Sequence, residues 1–260
     1  MAPDLKARLR DGKPALGCWL EMMSPIAAEI VAQAGYDCVM IDMEHGPAGY
    51  SEATALLQAV AASGTAPLAR VPANDPVALK RTLDLGVSGV MVPSVDSRAE
   101  AEAAVAGCLY PPRGLRGMAP SIIRASDYGR RRADYIREAN DRLLVICQIE
   151  TGAAVADVDG IAAVEGLDML FIGPFDLSAS LGHVGEPDHP EVQEAIAKVE
   201  TAAKATGCLL GAIPTEARPL ETLLELGYDL ILPAADSLLL RDGASAVVNR
   251  WRAARGEGAT

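Results

Sequence analysis

Residues 143–173 read LLVICQIETGAAVADVDGIAAVEGLDMLFIG, and this stretch decides the fold. Its two ends, Leu143–Ile149 and Met169–Gly173, are short aliphatic runs bounded by polar or glycine positions, the pattern of buried strands. Between them, residues 152–164 carry apolar side chains at helical spacing. The unit therefore reads strand, helix, strand, and a helical crossover of this length joins parallel neighbours in one sheet.

The same alternation continues outward in both directions. Upstream, strands are predicted at Ala15–Leu20, Asp37–Asp42, Ala66–Val71 and Gly89–Pro93; downstream, at Leu209–Ile213 and Leu230–Pro233. Helical patterns fall near 24–34, 50–62, 76–84, 97–107, 190–206, 216–226 and 236–254. Eight strands alternating with eight helices predict an α/β fold of the closed (β/α)8 barrel type, with residues 1–260 forming a single domain. The 260-residue length fits one such barrel. An open doubly wound sheet would need fewer repeats or a glycine-rich phosphate loop after the first strand, and Glu21–Pro25 contains no GxGxxG. One connection breaks the rhythm: Tyr110-Pro-Pro-Arg-Gly-Leu-Arg-Gly117, followed by a polar, helical stretch ending near Asn140. With Arg113 and Arg116, it reads either as a substrate-covering loop or as a surface loop held by salt bridges.

Composition narrows the function classes. A net charge of −12 and the lack of a dominant Lys/Arg cluster argue against a nucleic-acid partner. An anionic substrate would need a local positive centre. The five cysteines are scattered, with no CxxC pair, and read as reduced core residues. A charged N-terminus without an apolar core and the lack of a membrane-length apolar run lead to the expectation of a cytoplasmic protein with no membrane partner.

Barrel enzymes carry their chemistry at the C-terminal ends of the strands. Here the second strand ends in Ile41-Asp-Met-Glu-His-Gly-Pro47, the third at Arg70, the fifth in Gln148-Ile-Glu-Thr151 and the sixth in Gly173-Pro-Phe-Asp-Leu-Ser178. Glu150 and Asp176 supply two carboxylates from neighbouring strands, and Gln148 shares a strand face with Glu150. Oxygen-only ligands suit a hard divalent cation, Mg²⁺ or Mn²⁺, with Co²⁺ a further candidate. The bland reading is a pair of strand-end acids salt-bridged to arginines. His45 is a candidate general base, with Asp42 close enough to fix its tautomer. Arg70, ending an apolar strand, would neutralise Asp42 or Glu44, or stabilise an enolate oxygen. His183 and His189 read as exposed or capping residues. None of the five lysines (Lys6, Lys13, Lys80, Lys198, Lys204) lies at a strand's C-terminal end. An imine-forming mechanism needs such a lysine, so metal-assisted proton chemistry beside a carbonyl remains.

The motifs at Ile41–Pro47, Tyr110–Gly117, Gln148–Thr151 and Phe171-Ile-Gly-Pro-Phe-Asp-Leu-Ser-Ala-Ser-Leu-Gly182 together resemble the HpcH/HpaI aldolases, over residues 16–236. The resemblance implies a pyruvate-type barrel and a class II, metal-dependent aldolase that joins or splits a 2-oxo acid and an aldehyde. It also implies a homohexamer, a dimer of trimers, with the last helix exchanged between subunits. It assigns Glu150 and Asp176 to the metal and Gln148 to metal or substrate. His45 takes the acid–base role, Arg70 stabilises the transition state, and the backbone around Gly173–Asp176 holds the pyruvate carboxylate. Asp84 matches a position that makes the histidine more basic; ending the third of the helices counted above, it would do so only across a subunit interface. Phe175 departs from the family pattern, which places a small residue before the metal Asp, and this puts the acceptor pocket in question. Two rival readings follow: a lyase of malyl- or citryl-CoA thioesters, with Arg113 and Arg116 in the nucleotide groove, and a non-catalytic barrel that binds 2-oxo acids.

Overall fold

Strands covered on both faces must be apolar almost throughout, and these are. The computed structural model describes residues 4–47 and 49–256. It forms strands β1 (Ala15–Leu20), β2 (Cys38–Asp42), β3 (Ala66–Arg70), β4 (Gly89–Val92), β5 (Leu144–Ile149), β6 (Met169–Ile172), β7 (Leu209–Ala212) and β8 (Leu230–Ala235). All pair in parallel, each with its sequence neighbour, and β8 closes onto β1, giving a (β/α)8 barrel. Inward-facing Trp19, Met40, Leu68, Met91, Ile146, Met169 and Phe171 pack the interior as one cluster, so the barrel is a filled core.

The helices are α1 (Leu5–Arg10), α2 (Pro25–Gln33), α3 (Tyr50–Val60), α4 (Pro76–Asp84), α5 (Arg98–Cys108), α6 (Arg132–Arg142), α7 (Gly152–Ala156), α8 (Val158–Ala162), α9 (Pro174–Ser180), α10 (Pro190–Thr206), α11 (Leu220–Glu225) and α12 (Asp236–Ala254). Most starts are explained by local chemistry. Asp75 accepts from the Val77 and Ala78 amides, Ser97 from Glu100, and Thr151 from Ala154, each satisfying donors that a helix leaves unpaired.

Three features depart from the sequence reading. The patterned run over 152–164 divides into α7 and α8 at Asp157. Helix α9 is an extra helix of 7 residues, about two turns, that places Asp176 in its first turn. Helix α1 is too short and too charged to show periodicity, yet Leu5 and Leu9 are buried with the barrel-interior cluster. It is pinned there by Lys6 on Asp168 at 2.9 Å and on the Leu143 carbonyl at 3.0 Å, both near the strands' N-terminal ends. The insertion after α5 ends in α6, the polar helix expected there. Among the described residues no helix is long and apolar enough to cross a membrane.

Candidate active site

The site is built where β2, β3, β5 and β6 end. Register pairs Asp42 with Arg70 across β2 and β3, and Gln148 with Phe171 across β5 and β6. Asp42 is fully buried and Arg70 nearly so. The guanidinium grips the carboxylate with two bonds, Nε to Oδ1 at 2.9 Å and Nη2 to Oδ2 at 2.7 Å. Burial pushes the Asp42 carboxyl up, but Arg70 and the amides of Glu44 and His45 outweigh it and hold the group below its ordinary range.

The remaining arginine nitrogen, Nη1, is held loosely. Gln148 Oε1 lies 3.5 Å away and Glu44 Oε2 3.1 Å. The Glu44 contact is an ion pair by distance but misses hydrogen-bond geometry, so Oε2 has no hydrogen-bond donor. Nη1 is therefore the part of Arg70 with capacity for a further oxygen. The guanidinium also lies over the Trp19 ring, 4.5 Å from its centroid, which fixes its plane.

Glu150 is buried at the end of β5. Its Oε1 accepts from both the backbone N–H (2.7 Å) and the hydroxyl (3.1 Å) of Ser94. Its Oε2 faces Gly173: a Cβ added there would fall 2.9 Å from that oxygen and 2.8 Å from Gln148 Nε2. Burial raises the Glu150 carboxyl, Ser94 opposes that shift, and the Asp176 charge adds to it. Glu44 is also raised, by burial first, and Glu150 and Asp42 add to it against the pull of Arg70 and His45. Arg70 is paired with Asp42 and Glu44, its charge also reaches Glu150, and Asp176 sets a further negative charge against Glu150. Among the described residues neither Glu150 nor Asp176 has an ion-pair partner. That surplus of negative charge, with Glu150 Oε1 held by Ser94 and Oε2 lying close against Gly173, fits a hard divalent cation held by Glu150 and Asp176.

Not every candidate residue assembles. His45 stands exposed at the mouth, near enough to influence Glu44. The expectation that Asp42 orients the His45 ring is corrected: its oxygens are taken up by Arg70 and by the backbone N–H groups of Glu44 and His45. Gln148 turns its oxygen to Arg70, because a guanidinium needs an acceptor, and presents its NH₂ beside Gly173; that orientation suits a substrate donor better than a metal ligand. Asp84 and Arg116 are held away from this rim within the chain. They pair with each other at 2.8 Å at the far end of α4, with Arg116 also on the Tyr135 hydroxyl at 2.9 Å. Arg116 is buried there against Tyr110, so within one subunit it does not cover substrate, which corrects that expectation. Phe175 projects about half exposed beside Asp176.

Two participants were missed by sequence reasoning, Ser94 and Trp19. The signal for Ser94 was a small polar residue directly after an apolar strand. Its φ of 52° is a conformation unfavourable for a non-glycine residue, and it aims both donors at Glu150. Ser94→Ala is expected to weaken Mg²⁺ or Mn²⁺ binding about tenfold, as loss of a ligand's supporting hydrogen bond does. Calorimetric titration measures this, and unchanged affinity would mean that the backbone amide alone holds Glu150.

Residues 15–242 match the family described as HpcH/HpaI aldolase/citrate lyase. The chain is 43% identical over 230 residues to a Pseudomonas putida 2-dehydro-3,6-dideoxy-6-sulfogluconate aldolase, covering 88% of this chain and 89% of that one. It is 39% identical over 253 residues to an Escherichia coli 4-hydroxy-2-oxo-heptane-1,7-dioate aldolase, covering 97% and 96%. A crystal structure of an HpcH/HpaI aldolase/citrate lyase family protein from Burkholderia cenocepacia J2315 superposes with a TM-score of 0.91 at 40% identity, covering 95% and 98%.

Proposed function

The chain belongs to the HpcH/HpaI aldolase/citrate lyase family, and from that premise we propose that it cleaves, or in reverse forms, 4-hydroxy-2-oxo acids, giving pyruvate and an aldehyde. It is a carbon–carbon lyase. The observation that carries the reading is the paired carboxylate site, Glu150 with Asp176, set beside an arginine that keeps one nitrogen in reserve.

Glu150 and Asp176 would hold Mg²⁺ or Mn²⁺, which when bound supplies Lewis acidity at the carboxylate and ketone oxygens of a 2-oxo acid. The first-turn amides of α9 at Phe175 and Asp176, which a helix leaves unpaired, receive the substrate carboxylate, and the Gln148 NH₂ donates beside them. His45, exposed at the mouth, removes the proton from the 4-hydroxyl. The C3–C4 bond then breaks, the aldehyde leaves, and Arg70 Nη1 meets the oxygen of the pyruvate enolate. Returning a proton to C3 completes pyruvate.

Phe175 forms the acceptor wall in this reading. Assembly is part of it too. Leu238, Leu239, Leu240, Val247, Val248 and Trp251 leave an exposed apolar surface along α12, as Ile26 and Ile30 do on α2. A homohexamer that exchanges α12 would cover these faces, and it could bring Asp84 of one subunit toward His45 of the next. The CoA-thioester reading is weakened by Arg113 and Arg116, the two groove cations it needs: they are committed to Asp141 and Asp84.

A retro-aldol screen of 4-hydroxy-2-oxo acids, coupled to pyruvate detection, tests the proposal. Pyruvate release should vanish with EDTA, and borohydride with pyruvate should trap no adduct on lysine. Repeating the screen with Phe175→Ala should widen the set of aldehydes accepted while leaving pyruvate proton exchange unchanged. If no acid yields pyruvate, the thioester reading takes precedence.

A further inference from the structure

We propose that the turn between α9 and α10 holds a second divalent cation, a borderline metal such as Zn²⁺ or Ni²⁺, on His183, Glu186 and His189. Backbone hydrogen bonds wind this segment into successive turns, the first spanning five residues and the next two spanning three each. The His183 N–H donates to the Ser178 carbonyl at 2.7 Å, Glu186 N–H to His183 at 3.0 Å, and His189 N–H to Glu186 at 3.1 Å. Side chains 183, 186 and 189 are thereby gathered, with one potential ligand atom from each lying within 4.8 Å of the others. The two imidazoles stack with centroids 3.5 Å apart and planes 16° from parallel, so joint ligation of one ion requires one ring to turn out of the stack and bring its in-plane lone pair onto the metal.

The neighbours suit a cation. His183 Nε2 lies 2.8 Å from Glu191 Oε2. With the proton on Nε2 donated to that carboxylate, Nδ1 keeps its lone pair, the arrangement in which a carboxylate orients and strengthens a ligating histidine. His189 currently caps α10, its Nδ1 accepting from the Glu191 N–H over a long 3.3 Å. Ligation through either ring nitrogen exchanges that contact, because the other nitrogen then carries the proton; Pro190 at the first helical position keeps the helix start in place. Asp188, Glu191 and Glu194 add negative charge close by in sequence, and residues 174–197 contain no lysine or arginine.

Two nitrogens and one carboxylate select zinc-like ions, unlike the oxygen-only pair at Glu150 and Asp176. The position gives the site a consequence. The turn follows the helix that carries Asp176, and Asp188 holds the Thr215 hydroxyl at 2.6 Å, beyond the end of β7. A bound cation would tie two segments of the active-site rim together.

Zinc counted by elemental analysis after equilibrium dialysis at low micromolar Zn²⁺ tests this. The Glu150→Ala chain, with its first site disabled, should retain one zinc. Adding His183→Ala, or His189→Asn, should remove that ion; asparagine is a good helix cap, so loss of α10 would not mimic loss of the site. Zinc retained by both double variants, or absent from Glu150→Ala itself, overturns the proposal. Equal zinc in the parent and in Glu150→Ala would count against the Glu150 centre, while the His183 comparison within that background still decides this one.

Discussion

Glu150→Gln is expected to lose turnover by on the order of 10³-fold, the effect of several kcal/mol of Lewis-acid stabilisation, while raising the stability of the metal-free protein. The two effects share one cause. Without metal, Glu150 is a buried carboxylate whose proton affinity is raised by burial first and by Asp176 in addition. Its folded state therefore binds a proton more tightly than the unfolded chain. That contribution to stability is fully present below the ordinary value of 4.5 and is lost as pH rises through the raised one. At neutral pH the ionised group opposes folding, and glutamine removes the opposition while keeping acceptors for Ser94. In EDTA, the variant should melt higher than the parent, by a margin that grows from acidic to neutral pH. Added Mg²⁺ should reverse the order, because a ligand stabilises only the fold that binds it. Thermal melts with and without metal check both halves. If Mg²⁺ stabilises variant and parent equally, Glu150 is not a ligand.

Strand positions were legible because a barrel's β-runs are apolar on both faces and stand out against amphipathic helices; predicted and observed strands agree to within a residue or two at nearly every end. The rim chemistry was legible for a related reason: a charged side chain at the end of an apolar run has few structural excuses. What escaped depends on geometry that spacing does not carry. Asp42 and His45 are three residues apart, which suggested a contact between their side chains, but a two-pronged arginine competes better for a buried carboxylate than an exposed imidazole does. Helix α1 is too short for periodicity. Ser94 serves Glu150 through an unusual backbone turn, and no residue-type pattern predicts a positive φ at serine. Arg116 and Asp84 are separated by 32 positions, and their mutual pairing became visible only once the insertion had folded against the end of α4.

Arg70 carries the second large expectation, because the structure gives it two roles that can be measured apart. Its Nε and Nη2 neutralise Asp42, which is fully buried, so Arg70→Ala leaves a carboxylate without its cation and should cost about 3–5 kcal/mol of stability. The sign with pH is opposite to that of Glu150. Asp42 is depressed in the fold, so its contribution is present above the ordinary value of 3.8 and is lost as pH falls through the depressed one. The stability gap between parent and Arg70→Ala should accordingly narrow in acid. The catalytic role rests on Nη1, which has only a 3.5 Å contact with Gln148 and a poorly aligned ion pair with Glu44. Arg70→Lys keeps a positive charge near Asp42 but cannot present the two-pronged grip and a third nitrogen at once. It should recover much of the stability lost in Arg70→Ala yet remain about 10²–10³-fold slow, the size of a lost oxyanion donor. An interaction made only in the transition state lowers kcat and kcat/KM together and leaves KM nearly unchanged. If Arg70→Lys instead restores kcat in step with stability, the arginine serves Asp42 alone and the enolate must be stabilised elsewhere. Because both variants leave Glu150 and Asp176 in place, unchanged metal affinity in each would confine the loss to the guanidinium.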